Sequence, residues 1–514
     1  MTNTTSGPDA SAPPPLNRVA TSRFGMAATS HPGATDAAVE ILSEGGNAVD
    51  AAVAAALALA VCEPMESGLG GQSLILLYEQ ASGRVIAIDG STRAPRLADP
   101  RLPSEEIRRG HKAAAVPTTP AALEHARRRY GTLPMARLIE PAIRLAEDGY
   151  TITPLQHRLT EREAAMLIQH GGARFFLNER QVPWPVGSRL CQDVMAKTLR
   201  RLATAGIEDF YLGEIAGAMH DDMVRHGGWL RREDLQPIPW PRELSPLSRQ
   251  VESWDVFTFP PPGGGATVLE MLSGWSALDQ DLRDMDSPAG ALAFANLAHA
   301  AARNYIIQAS GPSSCSDTTD EDDKDEGGQT THLSVVDRDG NAVALTQSLN
   351  RVFGSCAAAP NLGFVYNGYV RAFNRKKPDH PYFLRPGAVP RVCSAPTILF
   401  QNGRLFAAIG SPGSARIPQA IVQVLARLGS SDPWCAVTAP RIYVSSRKTA
   451  FLEARGIDCG IKNMLKQAKY EIRDLEPFSF FLGSVQMVVS REGELIGVAD
   501  PRRDGTAGGP SKMA

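Results

Sequence analysis

The stretch DTTDEDDKDEGGQTTHLSVVDRDGNAVALTQSLN, Asp317 to Asn350, decides how this chain folds. Residues 310–329 carry no aliphatic or aromatic side chain and many acidic ones, so they can bury no core surface and read as a mobile acidic linker. The linker stops at Thr330-Thr331, where a strand-turn-strand pattern begins. THLSVVD and NAVALTQSL flank Arg338-Asp339-Gly340. Glycine at the third loop position suits a three-residue hairpin with a left-handed last residue. That register pairs Asp337 with Asn341 and sets Thr330 opposite Ser348. Asn350 follows two residues further on the same face.

This placement suggests chemistry. A threonine hydroxyl needs an adjacent base to become a nucleophile. A free α-amino group on the same residue can serve, because its pKa is about 7.7–8.0. The chain must then be cut immediately before Thr330, and a mobile linker meeting a rigid strand is where such a cut leaves the fold intact. Ser348 would orient the hydroxyl, and Asn350 the amine or the substrate. From periodicity alone, an ordinary strand threonine is the better reading. His332 reads as structural, since this scheme needs no histidine.

The rest of the chain narrows the class. It has 514 residues, 43% hydrophobic and 21% charged, ordinary for a globular protein that forms a large core unaided. A net charge of −2 and only short basic runs give no sign of a nucleic-acid partner. The seven cysteines form no CxxC pair, which argues against a disulfide framework and a zinc site. No cofactor or metal is expected. Residues 1–20 read as a disordered leader rather than a secretory signal. The Ala-rich run Ala51–Cys62 is too short to span a membrane and reads as a buried helix. The expected compartment is cytoplasmic, with no membrane partner.

Amphipathic and Gly-stopped patterns predict helices before and after Gly45-Gly46, with Asn47 capping the second. Strands are expected at 73–78 and 85–89, mainly helices over 111–235, a strand at 250–259 and a helix at 266–278. Beyond the linker, strands are expected at 331–337, 341–348, 363–366, 396–400 and 404–409, then a helix at 415–428. The tail RRDGTAGGPSKMA reads as loose. Residues 21–309 and 330–514 thus form two portions around the linker, a pattern of stacked sheets covered by helices. Pro260–Thr267, PPPGGGAT, lacks the lysine of a phosphate loop and reads as packing. Ser411 is not in a nucleophile-elbow pattern.

TTHLSVVDRDGNAVALTQSLN resembles the start of the small subunit of γ-glutamyltranspeptidases, which are N-terminal-nucleophile hydrolases. MAATSHPGATDAAVEILSEGGNAVDAAVAAALALAVCEPMESGLGG, AAAVPTTPAALEHARRRYGTLPMARLIEPAIRLAEDGY, FPPPGGGATVLEML, IGSPGSARIPQAIVQVL and ELIGVADPRRDGTAG are also similar to family segments, in the same order. The resemblance implies an α+β, four-layer αββα sandwich with an additional helical region in the N-terminal half. It implies self-cleavage between Gln329 and Thr330 into a large and a small chain that stay together, and a threonyl acyl-enzyme formed from a small-molecule amide or acyl substrate. By position Ser348 corresponds to a family threonine, Asn350 to the family asparagine, and Gly413-Ser414 to a Gly-Gly pair whose N–H groups form an oxyanion hole.

The departures fall on substrate recognition. Ser91 stands where the family has the arginine for the glutamate α-carboxylate, and Arg93 lies two residues on. Ala372 replaces the acid that binds the α-amino group. Tyr369 replaces a Gln or Glu, and Val392-Cys393 replace a Ser-Ser pair. Arg93 and Arg371 are candidate anion binders. A zwitterion buried without these partners costs several kcal/mol, of order. The expectation is therefore a threonine amidohydrolase or acyltransferase with an acyl donor other than γ-glutamyl. The alternatives are true γ-glutamyl transfer or glutathione hydrolysis, a specialised amide or C–C hydrolase of natural-product biosynthesis, and a non-catalytic homologue.

Overall fold

A computed structural model of the chain describes residues 16–310, 329–429 and 431–512. Most of the expected acidic linker and of the expected leader lies outside them. Two antiparallel seven-stranded sheets form the centre. The first runs Thr506–Gly508, Gly25–Thr29, Gln329–Asp337, Ala342–Asn350, Gln72–Glu79, Arg84–Gly90, Arg242–Leu244. The second runs Val19–Ser22, Glu494–Ala499, Gln486–Arg491, Arg404–Gly410, Thr397–Gln401, Trp254–Thr258, Leu247–Val251. Both sheets interleave strands from before and after the acidic segment.

Period-2 alternation sorts the side chains into layers. On the first sheet Leu333, Val335, Val343 and Leu345 face a helical core built on Ala48–Cys62. Val336, Ala342 and Ala344 face the other sheet, against Ile398, Phe400, Ala408 and Val488. The second sheet turns Leu399, Ile409, Met487 and Val489 toward helices that include Gly265–Ser276 and Ile417–Leu428. Helices, sheet, sheet and helices make the expected four layers, and further helices such as Met135–Asp148 thicken the first.

Local chemistry explains the elements. The Asn47 side chain accepts from the amides of Val49 and Asp50, and Asp50 accepts from the Asn47 amide, closing a capping box. The helix it starts is buried on every side, so its many alanines let its neighbours approach closely. The Asp337–Asn341 pairing forms as expected, with the Asp337 amide donating to the Asn341 carbonyl and Gly340 at φ +88.

Four local expectations are corrected. The single strand at 250–259 is a hairpin, with Glu252 turning at φ +53. Residues 363–366 are not a strand: Gly363 turns at φ +76 against the backbone of Met195, and the segment packs among helices. The expected leader ends too late, because Val19–Ser22 pairs with the strand Glu494–Ala499. The described part of the tail is not loose over residues 502–510. Thr506–Gly508 pairs with Gly25–Thr29, while buried Arg502 binds Glu453 and Asp500. Charge made that segment look soluble, but its charges are paired inside.

Candidate active site

Thr330 is the first residue of its strand to point between the sheets, in line with His332 and Ser334. Its Oγ1 donates to Ser348 Oγ at 3.2 Å. Ser348 also accepts from the Asn350 amide at 2.9 Å and shares a hydrogen bond with Tyr369. The Asn350 carboxamide donates to the Gly368 carbonyl at 2.8 Å. The pairing shifts at one peptide bond: Thr330 pairs with Ser348, but Gln329 pairs with Asn350. The irregularity falls between Gln329 and Thr330, and such bulges re-aim side chains at functional ends of strands. Asn350 itself is at φ +74.

Behind the partner strand runs the glycine-rich segment after Pro64. A Cβ on Gly71 would fall 2.4 Å from the Ser348 carbonyl oxygen, so only glycine permits this approach. The Leu349 amide donates to the Glu66 carbonyl. Glu63, Glu66 and Arg503 are buried together here. Arg503 contacts the Glu66 carboxylate and donates to the Thr330 carbonyl at 2.9 Å. Burial pushes the Glu63 carboxyl up, and the Arg503 guanidinium partly offsets this. His332 is fully buried, its ring bonded to Thr346 and Ser334, and burial holds its pKa down to about 3. It is neutral and structural, as expected.

A cavity of about 340 Å³ opens in front of Thr330. Of the sequence candidates, Thr330, Ser348, Asn350, Tyr369, Arg371, Ala372, Val392, Cys393 and Ser414 all line it. Gly413 adjoins Ser414, at φ +127 and +54 respectively. Both residues of the turn thus lie at positive φ, the region that favours glycine, although the second has a side chain. Thr267, from the glycine-rich packing turn, reaches the wall too. Ser411 Oγ is engaged by Pro412 and Ser484 backbone groups.

Ser91 and Arg93 are not brought to this cavity. Ser91 Oγ donates to Asp89 at 2.6 Å, the Thr92 amide donates to Gln72, and Arg93 donates to the Trp240 carbonyl at 2.8 Å. The chain leaves its strand here and bridges to Val116, which turns Arg93 toward the helical side. The sequence offered Arg93 only by its spacing, two residues past Ser91, and the strand Arg84–Gly90 ends before either.

Sequence reading also missed residues. Arg351, Arg391, Arg416 and Arg447 join Arg371 on the wall, and no aspartate or glutamate is among its described lining residues. These arginines come from loops and short helical turns spread far apart along the chain, and no motif joins them. Arg503 was quoted only inside a tail segment. The acids of CEPMES, amid apolar and small residues, were the one available signal for Glu63 and Glu66. Away from the cavity, the donor atoms of His111, Asp222 and His226 lie within 4.8 Å of one another. Asp222 and His226 have the i,i+4 spacing of one helix face. There His111 Nε2 is 3.0 Å from Asp222 Oδ2, to which Tyr366 also donates.

Two stacked antiparallel sheets between helices, with a cavity at the start of the strand Gln329–Asp337, are the architecture of the N-terminal-nucleophile hydrolase class. The family model described as Gamma-glutamyltranspeptidase matches residues 34–310 and 298–509. The glutathione hydrolase proenzyme of Escherichia coli (strain K12) is 31% identical, over 94% of this chain and 92% of that protein. The Acylase ACY 1 proenzyme of Pseudomonas sp. (strain V22) is 33% identical over 84% and 86%. The crystal structure of cephalosporin acylase from Bacillus halodurans superimposes with a TM-score of 0.85 at 27% identity, covering both chains in full. The chain belongs to the γ-glutamyltranspeptidase family, and it is an enzyme of the hydrolase and acyltransferase kind. No helix among the described residues is long and apolar enough to cross a membrane.

Proposed function

We propose that this protein cuts itself between Gln329 and Thr330 and then uses Thr330 as an N-terminal nucleophile on a small amide whose acyl group carries no α-ammonium. One observation carries the reading: Thr330 Oγ1 lies 3.2 Å from Ser348 Oγ at the mouth of a cavity whose described wall has no carboxylate to receive an ammonium group. The pairing shift at the Gln329–Thr330 bond, and the proenzyme names of two relatives, support the cut.

After the cut, the new amine takes the proton from Thr330 Oγ1 as the oxygen attacks the amide carbon. The amides of Gly413 and Ser414 receive the developing oxyanion. Ser348 holds the hydroxyl in place, and Asn350 the new terminus. The amine returns its proton to the leaving nitrogen, and water or an acceptor amine releases the acyl group. The interleaved sheets hold residues 1–329 and 330–514 together. Domain separation at the linker is therefore read as covalent, not spatial.

The test is a gel and an N-terminal sequence. The purified 55.1 kDa chain should give two bands, one beginning at Thr330, and Thr330→Ala should stay whole. A wild-type chain that remains whole, and turns over no amide, rejects the proposal.

A further inference from the structure

Away from the cavity, three side chains with metal-ligating chemistry meet beside the segment that supports Asn350. His111 opens the short turn His111–Ala113, Asp222 lies in the last turn of the helix Glu214–Arg225, and His226 follows at its C-cap. One donor atom of each lies within 4.8 Å of the others. The turn after the helix permits the approach, since a Cβ on Gly228 would fall 2.8 Å from His111 Cβ. His111 and Asp222 are buried, at 8% and 3% exposure, whereas the His226 side chain is 46% exposed. Asp222 Oδ2 accepts from Tyr366 at 2.9 Å and lies 3.0 Å from His111 Nε2. Asp222 Oδ1 is buried and has no hydrogen-bond partner among the described residues. It lies 3.1 Å from His226 Nδ1, whose proton goes instead to the Asp222 carbonyl at 2.9 Å. Buried polar atoms are rarely left without a partner. An orphan carboxylate oxygen between two imidazoles suits a cation that takes nitrogen and oxygen ligands.

We propose that His111, Asp222 and His226 form a binding site for one zinc-type divalent ion, with solvent as the fourth ligand. Two imidazoles and one carboxylate are a donor set that zinc takes in four-coordinate sites, at about 2.0–2.2 Å per bond. Ligand atoms on such an ion stand about 3.3 Å from one another, close to both nitrogen-to-carboxylate distances given above. One movement is required. The His111 and His226 rings stack 4.4 Å apart at 14°, and parallel stacked rings cannot aim their lone pairs at one point. His226 is the ring that turns, because it is exposed at a helix end while His111 is held by burial. Tyr366 is the outer partner that orients the ligating carboxylate. Magnesium and calcium fit poorly, since they need a shell of oxygens and only one carboxylate is present. Tyr366 leads directly into Asn367 and Gly368, so the ion fastens the segment whose Gly368 carbonyl receives the Asn350 carboxamide. This site is independent of the acyl-transfer reading, and either can fail without the other.

The experiment uses the untagged full chain after dialysis against a chelator, with Zn²⁺ alone as the ligand. Calorimetric titration should show one Zn²⁺ per chain. Thermal unfolding should move up by about 3 °C at about a hundredfold excess over Kd, and Mg²⁺ at the same concentration should leave it unmoved. His226→Ala is the main variant, because an exposed ring can be removed without opening the core. It should weaken Zn²⁺ binding at least tenfold and abolish the thermal shift. His220→Ala, on the same helix but outside the cluster, should bind Zn²⁺ as the wild type does. The proposal is overturned if the wild type binds no stoichiometric Zn²⁺, if Mg²⁺ stabilises it equally, or if His226→Ala keeps the wild-type affinity.

Discussion

Thr330 and Ser348 face each other across the antiparallel pair with their side-chain oxygens 3.2 Å apart, and the Asn350 amide and Tyr369 hold Ser348 there. Ser348→Ala removes the acceptor of the Thr330 hydroxyl and leaves the half-buried Asn350 amide with one partner fewer. A lost buried hydrogen bond costs about 1–3 kcal/mol, or about 5- to 150-fold in rate. The expected loss is in kcat with KM little changed, and Ser348→Thr should restore most of it. Steady-state kinetics of the processed variants decide this. An Ala variant as fast as wild type would show that Ser348 positions nothing.

Ser414 sits at φ +54 beside Gly413 at φ +127. A residue with a Cβ pays about 1–2 kcal/mol for left-handed backbone that glycine adopts freely. Ser414→Gly should therefore raise the unfolding free energy by about 1 kcal/mol and leave kcat/KM near wild type, because the amide that meets the oxyanion is retained. Denaturant unfolding with parallel kinetics tests it. A large activity loss would mean that the Ser414 side chain, and not only its amide, takes part.

Arg93 is tied to the Trp240 carbonyl at 2.8 Å and does not line the cavity. Arg93→Ala should lower stability by about 1 kcal/mol, the net worth of such a bond, with kcat/KM changed less than about twofold. A tenfold rise in KM for an anionic amide would place Arg93 back among the substrate contacts.

His332 and His31 are both buried, and burial pushes them down, to about 3 and about 4. In the unfolded chain a histidine titrates at about 6.5. Between that pH and about 3, the unfolded chain binds a proton that native His332 refuses. Stability contributed by the neutral ring is thus complete above pH 6.5 and declines as pH falls, by up to about 1.4 kcal/mol per unit. His332→Asn keeps a donor and an acceptor and is smaller, which suits a ring packed against Gly410. Unfolding free energies at pH 7 and pH 5 should fall less steeply for the variant than for wild type. Equal slopes would mean that His332 does not contribute to acid sensitivity.

Stacked sheets covered by helices were legible because each strand near the junction sorts its side chains by strict alternation and Asn47-Ala48-Val49-Asp50 carries its own helix start; the four-layer order came from the family resemblance. Boundaries failed where partners were distant. Val19–Ser22 is a strand only because Glu494–Ala499 lies beside it, and the charged tail is ordered only because Glu453 and Asp500 meet Arg502 inside. Residues 250–259 and 363–366 failed at positive-φ turns, Glu252 and Gly363, which apolar pattern does not reveal.

By itself the sequence determined the Thr330–Ser348 pairing, because a three-residue turn ending in Gly340 sets the register of a hairpin and strand periodicity carries it eighteen residues apart without any distant contact. It also marked the acidic junction and the Gly413-Ser414 turn. Only the tertiary structure decided which charges surround the nucleophile. It turned Arg93 away, gathered Arg351, Arg371, Arg391, Arg416 and Arg447 onto one wall, and brought Arg503 from the far end of the chain to the Thr330 carbonyl. Those groups sit on loops and ends whose positions follow from how two sheets close on each other, a long-range packing outcome that no local pattern encodes.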